Sequence, residues 1–224
     1  MGTQVKSKVD VPELVEKRRG QLIEAALDLF GRQGYHSTTI REIAERAGVS
    51  IGLIYQYFED KEDILFLALT AVLDGYQARI PQALEGIDDP LERLWRAIRA
   101  YSGVNDEMAG ATVLAYRETK SLSRERRALI KQKEIETNGL IAECVERCIA
   151  AKLFVETDIE MLSHQLMIFS HAWALKSWRL KPMMTLDRYV DSGLRIILGG
   201  VLTPRGRRQF DAYAARQNTK GKRS

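Results

Sequence analysis

Helical periodicity runs through nearly all of this 224-residue chain, and no segment shows the strict apolar–polar alternation of a half-buried strand. From Leu14 to Gly34, the residues Leu22, Ile23, Ala26, Leu27 and Phe30 form one apolar stripe, and Gly34 suits a helix stop. Ile40, Ile43, Ala44 and Ala47 follow at the i, i+3, i+4, i+7 spacing, with Thr39 and Glu42 at the capping-box distance. Gly48-Val49 breaks that helix, and Ser50 caps another to about Phe58. Asp60 caps a helix from Lys61 to about Arg79; Pro81, Gly86 and Pro90 punctuate. Further helices are predicted over Leu91–Tyr101, Glu107–Ser121, Arg124–Lys152 (capped by Ser123), Asp158–Leu180 and Thr185–Leu198. After Pro204 the apolar pattern is too sparse to predict one. The fold class is therefore all-α.

Composition narrows the class further. Hydrophobic residues make up 45% and charged residues 29%, which is ordinary globular usage and excludes disordered, collagen-like and disulfide-scaffold chains. The longest apolar run, Ile64 to Leu73 with Thr70 inside it, is ten residues, against the roughly 20 of a membrane-spanning helix. The first residues carry no apolar signal core. A soluble, cytoplasmic protein with no membrane partner is expected. The net charge of +4 is misleading until it is divided. Residues 1–202 hold 27 Lys+Arg and 29 Asp+Glu; residues 203–224 hold seven and one. The basic character belongs to the tail, which is expected to be accessory, and by itself does not establish nucleic-acid binding. Cys144 and Cys148, four apart, share a helix face; they read as a metal pair, a redox switch or two small core residues. The absence of a histidine nearby in sequence favours the core.

The span Thr39 to Phe58 carries the function. Two short amphipathic helices meet at a turn containing Gly48. The first buries Ile40, Ile43, Ala44 and Ala47, the second Ile54 and Phe58, and Ala44 and Gly48 are small where the helices cross. This is the pattern of a helix-turn-helix, whose second helix enters the DNA major groove.

The chain here resembles the TetR family of bacterial transcriptional regulators. The likeness lies in Ile23-x-x-Ala26-x-x-Leu29-Phe30, Gly34-Tyr35 and Thr38-Thr39-Ile40-Arg41-Glu42-Ile43-Ala44. It continues through Ala47-Gly48-Val49-Ser50-x-Gly52-x-Ile54-Tyr55-x-Tyr57-Phe58 and Lys61-x-x-Ile64-Leu65. The resemblance implies a three-helix DNA-binding domain over residues 1–60. A helical ligand-binding and dimerisation domain over 61–202 and the basic tail, 203–224, follow. It also implies that Thr39 caps the positioning helix against a phosphate, that Ser50, Ile51, Leu53 and Gln56 face the groove, and that Tyr55, Tyr57 and Lys61 meet phosphates or sugars. Gly52 would let the helix approach the duplex. Ile51 and Leu53 have two readings, internal packing or contact with thymine methyls. Residues 1–65 hold nine Lys+Arg against eleven Asp+Glu, a balance suited to two specific half-sites rather than to non-specific binding.

Residues 91–201 are rich in aromatic side chains, which serve either as core and dimer face or as the lining of a pocket. The pocket reading places Trp95, Arg99, Met108, Tyr116, Phe169 and Trp173 around an apolar or amphipathic effector. Arg117, Lys176 or Arg179 would join Arg99 at its mouth. Tyr116–Leu122 and Trp173–Trp178 resemble a branch of the family that responds to acyl-CoA thioesters. His164 and His171 share a face and read as buried, hydrogen-bonded histidines or as ligands. A homodimer is expected through Leu162, Leu166, Phe169 and Trp173 of one helix and Leu194, Ile197 and Val201 of another. The expected partners are thus double-stranded operator DNA, a second copy of the chain and a small-molecule effector, with no cofactor and no metal. The competing classes are an all-helical protein-binding adaptor and an enzyme. The sequence offers the latter no phosphate loop, zinc spacing or nucleophile elbow.

Overall fold

The computed structural model describes residues 5–9 and 11–220, the last five by backbone alone. The predicted DNA-binding domain and tail extend over residues 1–4, 10 and 221–224, which lie outside the described residues, as do the tail cations Lys222 and Arg223. Among the described residues the chain is all-α: α1 (Pro12–Gln33), α2 (Ile40–Ala47), α3 (Ile51–Tyr57), α4 (Lys61–Leu84), α5 (Pro90–Glu107) and α6 (Ala109–Glu118). After a 3₁₀ turn (Thr119–Ser121) come α7 (Arg124–Ala150), α8 (Ile159–Leu175), α9 (Ser177–Leu180), α10 (Leu186–Leu198) and α11 (Pro204–Lys220). No helix among them is long and apolar enough to cross a membrane.

The helix starts follow the sequence closely because side chains satisfy the unpaired N–H groups of each first turn. Thr39 Oγ1 accepts from the Glu42 N–H at 3.2 Å while the Glu42 carboxylate accepts from the Thr39 N–H at 2.7 Å. Ser50 accepts from Leu53 N–H at 3.2 Å, Asp60 from Asp63 at 2.9 Å, Asp158 from Met161 at 2.9 Å and Thr185 from Arg188 at 3.3 Å.

Helix ends depart more. Pro81 does not stop α4; it sits in the last turn, and burial of Ile80 and Leu84 on either side carries the helix through it. α5 runs past Tyr101 to Glu107 because Ser102, Val104 and Asn105 are buried. The helix predicted to reach Leu180 breaks at Lys176, whose φ of −119° and ψ of 26° leave the helical region. The tail is also corrected: residues 204–220 form α11.

The chain divides into two compact units, Met1–Asp74 with Gly110–Lys133, and Gly75–Ala109 with Glu134–Ser224. In the first, Leu22, Ala26 and Phe30 of α1 pack with Ile43 and Ala44 of α2, Ile54 of α3 and Ile64 and Leu65 of α4, all buried. Arg126 lies over the Phe66 ring and pairs with buried Asp63, whose carboxylate also accepts from the Glu59 N–H at 2.6 Å. In the second unit α5, α8 and α10 form the centre, with Trp95, Ile98, Tyr101, Leu166, Trp173, Val190 and Leu194 buried. Two glycines set close approaches there. A Cβ on Gly193 would lie 2.1 Å from the Phe169 ring, and one on Gly206 would lie 2.0 Å from the Leu153 carbonyl oxygen. Cys144 and Cys148 are buried in this unit, and burial raises both thiols, Cys144 to about 11. They are core residues rather than reactive thiols.

Candidate nucleic-acid interface

Gly48 makes the α2–α3 turn possible. Its φ of 68° and ψ of 34° are left-handed, a conformation cheap only for glycine, and its N–H closes onto the carbonyls of Ala44 and Glu45. With Ile43, Ala44 and Ile54 locked underneath, α3 turns a defined face outward. Ser50, Ile51, Gly52, Tyr55 and Gln56 are exposed and Leu53 is half-buried. The exposure of Ile51, 39%, argues against internal packing for that residue. Gly52 has nothing closer than Ser50 Oγ at 3.9 Å from the position of a Cβ, so the chain itself does not require glycine there.

Two expected phosphate contacts, Tyr57 and Lys61, are placed otherwise, and Thr39 caps α2 as expected. Tyr57 is only 3% exposed and belongs to the core of the first unit. Its spacing on α3, three after Ile54, puts both on the buried face. Lys61 is half-buried: its Nζ donates to the carbonyls of Tyr35 and Thr38, each at 2.7 Å, and lies 4.5 Å from the Tyr35 ring centre. It ties the α1–α2 loop to the start of α4 instead of reaching outward. Thr39 is exposed, but its hydroxyl is engaged within the capping box, 2.8 Å from Glu42 Oε2.

The cations of the helix-turn-helix proper are also engaged. Asp28 accepts from Arg32 at 2.9 Å and Arg46 at 2.7 Å, and Arg41 pairs with Glu45 at 3.5 Å. The sequence reading missed Arg19. From α1 its guanidinium reaches the Tyr57 carbonyl at 3.0 Å and the carbonyls of Val5 and Lys6 at 2.8 and 2.9 Å. The segment 5–9 meets the end of α3 directly, Lys8 N–H donating to the Gln56 carbonyl at 2.8 Å and Ser7 Oγ at 3.2 Å. No local pattern signals this, because the bonds end on backbone carbonyls 13 to 49 residues away.

In the second unit, four of the six expected effector residues turn toward α10. Trp95 Nε1 donates to Asp191 at 3.0 Å, Arg99 pairs with Asp187, Phe169 stacks on Tyr189 at 4.5 Å, and Trp173 lies 5.2 Å from the same ring. Trp95 also packs on Phe210 and Tyr213 of α11. Met108 is half-buried at the end of α5, and Tyr116, 52% exposed, falls in the other unit. Trp95, Arg99, Phe169 and Trp173 thus gather beside α10 within the second unit. Trp173 Nε1 donates to Asp106 at 2.8 Å, Lys181 pairs with Asp106 at 2.8 Å, and both pull that carboxyl below its usual range, Lys181 the more. Around them Met183, Met184, Leu186 and Arg188 line an open groove of about 580 Å³. Deeper, Tyr76 and Tyr101 stack at 4.0 Å, Tyr76 OH donates to Asn105 at 2.6 Å, and Tyr101 OH lies 2.9 Å from His171 Nε2. His171 is half-buried and hydrogen-bonded, to Tyr101; His164 is exposed.

Four of the seven expected dimer contacts, Leu162, Leu166, Trp173 and Leu194, are buried within the single chain, and Phe169, Ile197 and Val201 are half-buried. The apolar side chains that α8 and α10 leave outside are Met161, Ile168 and Ile196, the last 79% exposed.

Comparison with known proteins agrees with this architecture. Residues 22–68 match the family described as bacterial regulatory proteins, tetR family, and residues 87–196 match the tetracyclin repressor-like C-terminal domain. The chain is 49% identical over 203 residues to the HTH-type transcriptional regulator HbdR of Aromatoleum sp. strain CIB, covering 91% of this chain and 89% of that one. It is 26% identical over 190 residues to the HTH-type transcriptional repressor KstR2 of Mycobacterium tuberculosis strain H37Rv, covering 84% and 94%. Among solved structures, AibR in complex with isovaleryl coenzyme A and operator DNA superposes with a TM-score of 0.70 at 19% identity, over 80% of this chain and 97% of that one.

Proposed function

The chain belongs to the TetR family of bacterial transcriptional regulators, and from that premise we propose that it is a homodimeric repressor released from a two-fold symmetric operator by an amphipathic small molecule. That it is a DNA-binding regulator rather than an enzyme follows from the family and from the named function of its relatives. The observation that carries the finer reading is the outward face of α3, capped by Ser50, with Ile51, Tyr55 and Gln56 exposed on a rigid base. Gln56 suits an adenine edge and Ile51 a thymine methyl; the Tyr55 hydroxyl suits a phosphate. Gly52 gives the duplex room. Residues 1–60 form the DNA-reading part and 61–202 the effector and dimer part. Repression needs only occupancy of the promoter, and the site of action is the cytoplasm.

The dimer is assigned to the outer faces of α8 and α10, where Met161, Ile168 and Ile196 are exposed. The effector is assigned to the groove beside Trp173 and Lys181. Its apolar wall and its cations, Lys181 and Arg188, suit an acyl chain joined to an anionic head, the chemistry of an acyl-CoA. The coenzyme A complex of AibR supports that choice of first ligand to test. A selection of bound duplexes from random DNA gives the operator. Gln56→Ala is expected to change which bases are preferred, and acyl-CoAs are expected to release the wild type more readily than Trp173→Ala. Absence of any salt-sensitive, sequence-selective binding would overturn the reading.

A further inference from the structure

A DNA-binding face needs cations for the phosphates, and the helix-turn-helix of this chain has few to offer. Of the nine Lys and Arg in residues 1–65, five lie in the first 19. Residues 20–65 hold four cations against eight carboxylates, and all four cations are engaged. Arg32 and Arg46 share Asp28, Arg41 pairs with Glu45, and Lys61 is spent on loop carbonyls. Lys6 and Lys8 differ. They are exposed and form no ion pair among the described residues. They are held beside the C-terminal end of α3, because Lys8 N–H and Ser7 Oγ bond the Gln56 carbonyl while Arg19 grips the carbonyls of Val5, Lys6 and Tyr57. Val5 is buried and anchors the segment; an open groove of about 420 Å³, lined by Val9, Pro12 and Val15 among others, lies between it and the start of α1.

We propose that the segment 5–9 is a second DNA-contacting element, an arm that brings Lys6 and Lys8 to duplex phosphates beside the recognition helix, and that Arg19 positions it. This rests on the assignment of the α3 face as the operator-reading surface. The arm supplies the positive charge that the helix-turn-helix has used internally. It also takes up the carbonyl of Gln56 while Arg19 takes up that of Tyr57, two groups that end α3 without intrahelical partners. Arg19 is a positioning residue: one guanidinium joins α1, the arm and the end of α3, so the register of the lysines follows that of the helix.

The test is a salt titration of operator affinity with the full chain, on a duplex selected by the wild type. Lys6→Gln/Lys8→Gln is expected to weaken binding at least tenfold near 0.1 M salt. The plot of log affinity against log salt should be shallower by up to about 0.9 for each phosphate no longer neutralised. Base preference and thermal midpoint should hold, since both side chains are exposed. Arg19→Gln is expected to weaken binding too, and in its background the two lysine changes should cost less than in the wild type, because an unheld arm no longer presents them. Lys120→Gln/Lys131→Gln, two exposed lysines outside the arm, should leave the slope nearly unchanged. An unaltered slope in the arm variant, or an equal change in this control, overturns the arm. A wild type that selects no duplex overturns the operator reading itself, and the arm with it.

Discussion

Lys61 shows how a residue that resembles a DNA contact becomes a structural one. Burial lowers its ammonium from the usual lysine range, with Glu42 and Glu118 opposing, and three carbonyls around it accept its hydrogen bonds. Lys61→Met leaves those carbonyls unpaired, at a cost of about 1–3 kcal/mol. Urea unfolding should register that loss, while the salt slope of operator binding should stay at the wild-type value; a flattened slope would return Lys61 to the phosphates. Tyr57→Phe, at a core position, should change operator affinity less than twofold. His171 makes a second residue-level case. Burial, and less strongly His164, pushes its imidazole down to about 4, whereas the unfolded chain takes up a proton near 6.5. The stability that neutral His171 contributes is complete above about pH 6.5. It is lost as the pH falls toward 4, by up to about 1.4 kcal/mol per unit. Between pH 7.5 and 5.0 the wild type should lose about 1–2 kcal/mol more than His171→Asn in urea titrations; equal losses would show that His171 titrates normally in the folded chain.

At the scale of elements, α11 carries the largest correction. Seven cations against one acid made the tail look like a solvated run, and Phe210, Tyr213 and Ala214 give only one turn of apolar spacing. Yet all three are buried, Phe210 and Tyr213 on Trp95, and Gln209 bonds Asp89. Phe210→Ala should cost about 3–5 kcal/mol, and removal of residues 204–224 should lower the thermal midpoint markedly. A midpoint unmoved by both would leave the tail accessory after all. The contrast with the helix starts explains what could be read in advance. Thr39, Ser50, Asp60, Asp158 and Thr185 cap groups three residues away, so the signal is local and visible in the chain. The outward face of α3 comes from the family resemblance, which implies Ser50, Ile51 and Gln56 on the groove side, and these are exposed. Burial of Tyr57 and the several bonds of Arg19 depend on contacts between distant segments. Leu162, Leu166 and Leu194 were legible as apolar stripes, but periodicity cannot say whether a stripe faces its own chain or a second copy.

For the whole molecule, dimerisation and effector response must be one coupled property if the chain is a ligand-released repressor. Ile168→Glu with Ile196→Glu places two charges on exposed apolar positions without disturbing a buried side chain, so each subunit should stay folded while the dimer falls apart. Sedimentation should report a monomer, and operator affinity should fall by far more than tenfold, since one half-site remains where two were gripped. A folded dimer would move the interface elsewhere. The effector then acts only through its preference between states: a ligand that binds the DNA-free arrangement tenfold better contributes about 1.4 kcal/mol of coupling. α4 supplies residues to both compact units. Reciprocity makes the idea measurable from either end. The factor by which a saturating acyl-CoA weakens operator binding must equal the factor by which saturating operator weakens acyl-CoA binding, both read by titration at one salt concentration. Trp173→Ala should shrink both factors together, because it removes the aromatic wall and leaves Asp106 to Lys181 alone. Loss of acyl-CoA affinity with an unchanged coupling factor would make Trp173 a mere binding residue. Release of operator with no reciprocal effect would place the ligand in competition for the DNA face instead.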